Sequence, residues 1–220
     1  YIMWLSSLMS ISVDAKSELI KALGSCENVW LADRKTLAAT KILSDKALES
    51  IIKSRYRYDI DDELEKLYKS DAKFLTPNDR EFPKSLTAMN EPPLGIYVVG
   101  KLPDNSYPMV SIVGSRRITD YGATVCNSLS RELAEAGVGI VSGLAMGVDA
   151  IAHKAAIDAG GETVAVLGTG VDVCYPAVNT NLYNEIKEKG CLISEFSLGT
   201  KAFKANFPYR NRLISCLSRA

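Results

Sequence analysis

The sequence predicts an α/β fold: a doubly wound, mostly parallel sheet preceded by a small all-helical N-terminal domain. Three observations carry this reading. From Pro108 onward, short apolar runs alternate with amphipathic segments at βαβ spacing. Those runs are near-continuously apolar, as strands covered on both faces are. Residues 1–70, by contrast, contain little glycine and repeat apolar residues at helical spacing.

The elements follow in order. Leu19, Ile20 and Leu23 form a stripe that stops near Gly24. Leu37, Ile42, Leu43, Leu48, Ile51 and Ile52 suggest further short helices, and Leu64, Leu67 and Tyr68 one more. Bundles of this kind, including SAM and helix-hairpin-helix types, serve as packing units or as DNA-binding modules. Residues 71–108 form a connecting segment punctuated by Pro77, Pro83, Pro92, Pro93, Pro103 and Pro108, with a short β-like run over Leu94–Val99. Residues 109–220 form the sheet domain. Strands are expected over Val110–Val113, Gly139–Val141, Thr163–Leu167 and Cys191–Phe196. A helix over Ala123–Ala136 places Val125, Leu129 and Leu133 on one face. Asp149 is placed to cap a second helix running to Ala159, and a third spans Asn179–Lys189.

The totals bound the function. The chain has 220 residues, 47% hydrophobic and 24% charged, enough for one sizeable domain and a smaller one. A formal net charge of +0 excludes recruitment of a polyanion by a global field, so any such affinity needs a local patch. One candidate lies late in the chain: no acidic residue follows Glu195, whereas Lys201, Lys204, Arg210, Arg212 and Arg219 do. A solvated basic tail would look the same. The cysteines, Cys26, Cys126, Cys174, Cys191 and Cys216, are odd in number and form no C-x-x-C pair. They read as reduced core thiols of a cytoplasmic protein. With His153 alone, no Cys/His metal site is expected. No stretch approaches the ~20 apolar residues of a membrane span. The opening Tyr1–Leu5 is too short for a signal peptide, and the missing initiator methionine suggests a trimmed start.

Ligands of open α/β sheets bind at the carboxyl ends of the strands. The first predicted strand delivers Gly114-Ser115-Arg116-Arg117, a glycine for close approach, a hydroxyl, and guanidiniums that match phosphate. The second is followed by Ser142, Gly143, Ala145, Gly147 and Asp149, the third by Gly168 and Gly170, and the fourth by Ser194-Glu195, with Phe207–Arg212 further on as another loop. These loops should converge into an anion groove; taken singly, each glycine is also an ordinary turn. No G-x-x-x-x-G-K-[ST] is present, and Val173 stands where a dinucleotide fingerprint would need its third glycine. Asp149 and His153 share a helix face. As a catalytic pair they would need a serine nucleophile, and no serine sits in G-x-S-x-G; the pair reads as a helix cap plus a histidine bonded to a loop. Phe207 or Tyr209 beside Arg210 and Arg212 would stack bases or pack at an edge.

Together these segments resemble the DprA/Smf family of bacterial DNA-processing proteins. The resemblance rests on Val113–Arg117 with Tyr121-Gly122, Ser142–Asp149 with Ala152-His153, Val166–Gly170 with Tyr175-Pro176 and Asn179, Ile193–Glu195, and Phe207–Ser215. Glu81-Phe-Pro83 with Leu86, and Pro92-Pro93 with Gly100, resemble the family's lead-in. The resemblance implies a Rossmann-like domain that binds single-stranded DNA, protects it and helps load RecA during transformation and recombination, without catalysis, cofactor or metal, commonly as a homodimer. It implies a basic pocket built from the loop of Gly114, Ser115, Arg116 and Arg117, the loop of Ser142, Gly143 and Ala145, and the segment of Arg210, Asn211 and Arg212; the loop, tail and aromatic readings above add Gly168, Gly170, Lys201, Lys204 and Phe207 as candidate contacts. The family continues past Ala220 with further strands and often a winged helix, so the sheet domain is expected to be truncated. The rival reading is a nucleotide-processing enzyme of the lysine-decarboxylase-like (LOG) group, whose Pro-Gly-Gly-x-Gly-Thr loop is not found here.

Overall fold

The computed structural model describes residues 1–219; Ala220, the last residue of the predicted sheet domain, lies outside them. The chain opens with α1 (Ile2–Ser7), α2 (Val13–Leu23), α3 (Cys26–Leu31), α4 (Arg34–Ala39), α5 (Asp45–Arg55) and α6 (Ile60–Lys69). Short polar residues start most of them: Ser12, Ser25, Asp33, Ser44 and Asp59 each accept a backbone N–H of the following turn. Gly24 ends α2 at φ 89°, a left-handed conformation that glycine adopts without strain. Trp4, Leu5, Leu19, Val29, Leu37, Leu48 and Ile51 form the core of this bundle.

The connecting segment supplies β1 (Lys73–Leu75), which periodicity did not reveal, then the single turn α7 (Lys84–Thr87) and β2 (Ile96–Gly100). The sheet domain follows as β3 (Met109–Ser111), α8 (Asp120–Glu135), β4 (Gly139–Ser142), α9 (Val148–Asp158), β5 (Thr163–Val166), α10 (Thr180–Lys189), β6 (Cys191–Ser194) and α11 (Asn206–Leu217). The strand order is β1-β2-β6-β5-β4-β3. Strands β3 to β6 pair in parallel, Val110 opposite Ile140, Val141 opposite Val164 and Ala165 opposite Leu192. Strand β2 joins β6 antiparallel, with Val98 opposite Ile193. This is the Rossmann-like, mostly parallel α/β sheet expected, with helices on both faces. Alternate strand residues divide between those faces. Val141, Val164, Val166 and Ile193 meet Leu213 and Ile214 of α11. Ala165, Leu167 and Leu192 meet Ile186 and Tyr183 of α10.

Four expectations need correction. Strand β3 stops at Ser111, and Val113 beyond it is 59% exposed. Helix α8 buries Cys126, Ser130 and Ala134 rather than the Val125 and Leu129 stripe. Its small-residue face packs against Ala152 and Ala156 of α9, where small side chains let two helices approach closely. Gly147, not Asp149, occupies the N-cap of α9. Phe207–Arg212 is no loop: it forms the first half of α11, with Pro208 in the opening turn where its missing N–H costs nothing.

The bundle and the sheet domain meet through specific residues. Met3 of α1 joins the sheet core, and Leu94 packs into the bundle core. Lys16 of α2 is buried and donates from Nζ to the Ser6 carbonyl at 3.1 Å. Burial lowers its pKa to about 8, opposed by Glu195 of the sheet domain.

Candidate nucleic-acid interface

The carboxyl ends of β3 and β4, the start of α9 and one side of α11 enclose a cleft of about 490 Å³. Val113, Gly114, Arg116, Ala145, Asp149, Phe207, Arg210, Asn211 and Ile214 are among its lining. Its β3 side is a loop folded on its own hydroxyl. Ser115 Oγ accepts the Arg117 N–H at 3.1 Å and donates to the Arg117 carbonyl at 2.6 Å. The Ser115 carbonyl in turn accepts Val148 N–H at the start of α9, 3.2 Å away. Gly147 permits this junction: at φ +79° it lies so close that an added Cβ would fall 2.3 Å from the Ser115 oxygen. The turn leaves Arg116 and Arg117 exposed, and neither side chain makes an ion pair or hydrogen bond among the described residues.

The floor of the cleft is Arg210. It is 5% exposed and its Nη1 donates to the Val166 carbonyl and, at 3.0 Å, to the Gly143 carbonyl. The guanidinium lies over Gly143 so closely that a Cβ there would meet it at 2.5 Å. Burial lowers its pKa to about 10, with Asp149 opposing and the like charge of Arg116 reinforcing the shift. It therefore stays charged at neutral pH. Asp149 Oδ2 accepts the Gly143 and Ala145 amides at 3.2 and 3.3 Å. An exposed and a buried guanidinium thus share one cleft, with a single carboxylate already engaged by two N–H groups.

The expected pocket divides under this geometry. Gly114, Ser115, Arg116, Arg117, Lys201, Lys204 and Asn211 are exposed, and Ala145 and Phe207 are half-buried. The remainder are placed for other work. Ser142 is fully buried and donates to the Ile112 carbonyl at 2.6 Å. Gly168 lies beneath the Phe207 ring and Gly170 beneath Ser197 and Gly199, so neither cradles a phosphate. Arg212 Nη2 donates to both Glu195 oxygens at 2.6 Å and to Tyr209 Oη at 2.9 Å, while Nη1 donates to the Glu91 carbonyl. Burial pushes the Glu195 pKa up, opposed chiefly by Arg212. Tyr209 is held under the Arg212 guanidinium, 4.5 Å from its ring centroid, and is not available to a base. Phe207 instead meets Tyr175, ring centroids 5.4 Å apart, beside exposed Met146. Sequence reasoning named Tyr175 only within a motif; its Tyr-Pro context gave no sign of this pairing.

The Asp149–His153 pair makes no catalytic dyad. Thr163 Oγ1 donates its hydrogen to the Ile140 carbonyl at 3.0 Å, so it accepts from His153 Nδ1 at 2.7 Å. His153 is fully buried and its pKa falls to about 3, through desolvation first and Arg210 second. It is a neutral ring bonded to a strand residue, not to a loop. Among the described residues no group of His, Cys, Asp and Glu could hold a metal ion, and no helix is long and apolar enough to cross a membrane.

Fold and cleft define an α/β protein with a cationic cleft at the carboxyl edge of a Rossmann-like parallel sheet. Residues 73–220 match the family model described as DNA recombination-mediator protein A. The chain belongs to that family. It is 39% identical over 198 residues to the protein Smf of Synechocystis sp., covering 88% of this chain and 50% of that protein. With the DNA processing protein DprA of Streptococcus pneumoniae it shares 39% identity over 142 residues, 63% of this chain and 49% of the other. The chain thus spans about half the length of these curated relatives. The X-ray structure of DprA from Streptococcus pneumoniae superposes over 100% of this chain and 74% of its own, with a TM-score of 0.78 at 31% identity. A Helicobacter pylori DprA structure, described for its single-stranded DNA binding mode, gives a TM-score of 0.59 at 34% identity over 66% of each chain.

Proposed function

We propose that the chain binds single-stranded DNA along this cleft, and that within a longer protein it acts as a cytoplasmic recombination mediator that protects the strand and hands it to RecA during transformation. One observation carries the reading: Arg116, exposed and without a side-chain partner among the described residues, shares the cleft with the buried, charged Arg210. Two guanidiniums side by side repel each other, and an anion between them relieves the repulsion. A phosphate reaches Arg116 and Arg117 directly, whereas Arg210 contributes its field from the floor. Exposed Lys201 and Lys204 add positive charge on the segment that leads into α11. Binding is non-catalytic in this proposal, and a homodimer is its working assembly. The likeness to the Helicobacter pylori structure supports the choice of ligand.

The test is fluorescence anisotropy of a labelled oligothymidine across a salt series, with duplex DNA as competitor. Binding that weakens as salt rises and survives duplex competition is the expected result, because counterion release supplies much of the free energy. Binding that duplex abolishes, or that ignores salt, overturns the proposal.

A further inference from the structure

We propose that the segment between β6 and α11 carries a second contact for the same strand, in which Phe203 stacks a base and Lys201 and Lys204 take the phosphates on either side. The inference rests on the reading above, since it takes the ligand to be single-stranded nucleic acid.

Phe203 is 67% exposed. Its exposure does not come from a loosely attached loop. Thr200 accepts the Gly170 N–H at 2.9 Å, and the Gly199 N–H donates to the Asp172 carboxylate at 2.9 Å. On the other side the Phe203 carbonyl accepts the Asn206 N–H at 3.0 Å, and Asn206 Nδ2 donates to the Gly168 carbonyl at 3.0 Å. The backbone is tied across the carboxyl end of β5 while the ring stands in solvent. Hydration of so large an apolar ring is unfavourable, and burial against a ligand recovers that free energy.

Charge and position identify the ligand. Lys201 and Lys204 flank the ring and are exposed, no acidic residue occurs between Glu195 and the chain end, and Asp172 at the base of the loop is engaged by Gly199. A partner that presents both apolar faces and regularly spaced anions is a nucleotide strand. In a duplex the base faces are hidden, so the strand is single. Phe203 precedes Phe207 by four residues, and the Phe207–Tyr175 pair lies against the cleft. The contact therefore extends the cleft from the β3 side across β5.

The experiment uses the 220-residue chain with two labelled oligothymidines, about five and about twenty nucleotides long, in a salt series. Phe203→Ala weakens the longer oligomer about tenfold and leaves both the shorter one and the salt slope unchanged, because a lost stack releases no counterion. Phe203→Trp restores the longer oligomer. Lys204→Ala lowers the slope by about 0.7. Phe203→Ala that binds the longer oligomer like wild type, while Arg116→Ala is weakened, overturns this inference and leaves the cleft assignment standing. A wild-type chain that binds neither oligomer overturns both.

Discussion

The two sides of the cleft use arginine in opposite ways. On the β3 side Arg116 and Arg117 stand on a bracketed turn, exposed and without side-chain partners among the described residues. On the α11 side Arg210 and Arg212 belong to a helix packed on the sheet. Arg210 satisfies two buried carbonyls, and Arg212 is locked to Glu195, Tyr209 and Glu91. A helix against a sheet must satisfy the loop carbonyls it covers, and a long guanidinium does that well. A turn on the rim has no such demand. An arginine in a basic motif is thus a direct phosphate contact only where its donors are not already taken by the fold.

The largest expected effect breaks the α11 side. Arg210→Met strands the Gly143 and Val166 carbonyls and leaves Asp149 without its buried cation, for a loss of about 3 to 5 kcal/mol in urea unfolding. A loss below about 1 kcal/mol would show that Arg210 is held for the ligand rather than for the fold. The next effect is an acid dependence from the buried His153. Its folded pKa of about 3 lies below the unfolded value, so the unfolded chain binds the extra proton between about pH 6.5 and 3. Stability therefore falls on acidification through that window, by about 2 kcal/mol between pH 7 and pH 5. His153→Gln should flatten that dependence; an unchanged slope would assign it to other groups. On the β3 side the pattern reverses. Arg116→Ala shifts the unfolding midpoint within about 0.5 kcal/mol but weakens oligothymidine binding about tenfold, alike for all sequences. Equal binding at low and high salt would remove Arg116 from the interface. The smallest effect is Ser115→Ala, which loosens the turn without removing a charge and costs binding about threefold with the salt slope intact.

Much of the architecture was legible because the parallel strands are buried on both faces and punctuated by glycine. β1 was missed because three residues carry no period. α11 was missed because Phe-Pro-Tyr-Arg-Asn-Arg has no apolar stripe, and its motif character drew attention to chemistry instead. At the site, the exposed turn at Gly114–Arg117 was readable from local signals. What could not be read was the covering of one loop by another. Gly168 and Phe207 lie far apart in sequence, yet the ring fills the space that the glycine leaves. Similarly, Glu195 at a strand end reads equally as an acid/base or as an arginine's partner, but nothing near Arg212 in the sequence singles it out or announces the Glu91 carbonyl, since only the packing of α11 brings them together.

The turn closed by Ser115 has a kinetic consequence. On the proposed reading, a rim segment already closed by its own hydrogen bonds gives up little freedom when a strand arrives. Encounter then needs no slow rearrangement, and arrival is set by the field of Arg116 and Arg117 reaching into solvent. Raising salt from about 50 to 200 mM should therefore slow association more than it hastens release, separating a preformed receptor from one that folds around its cargo.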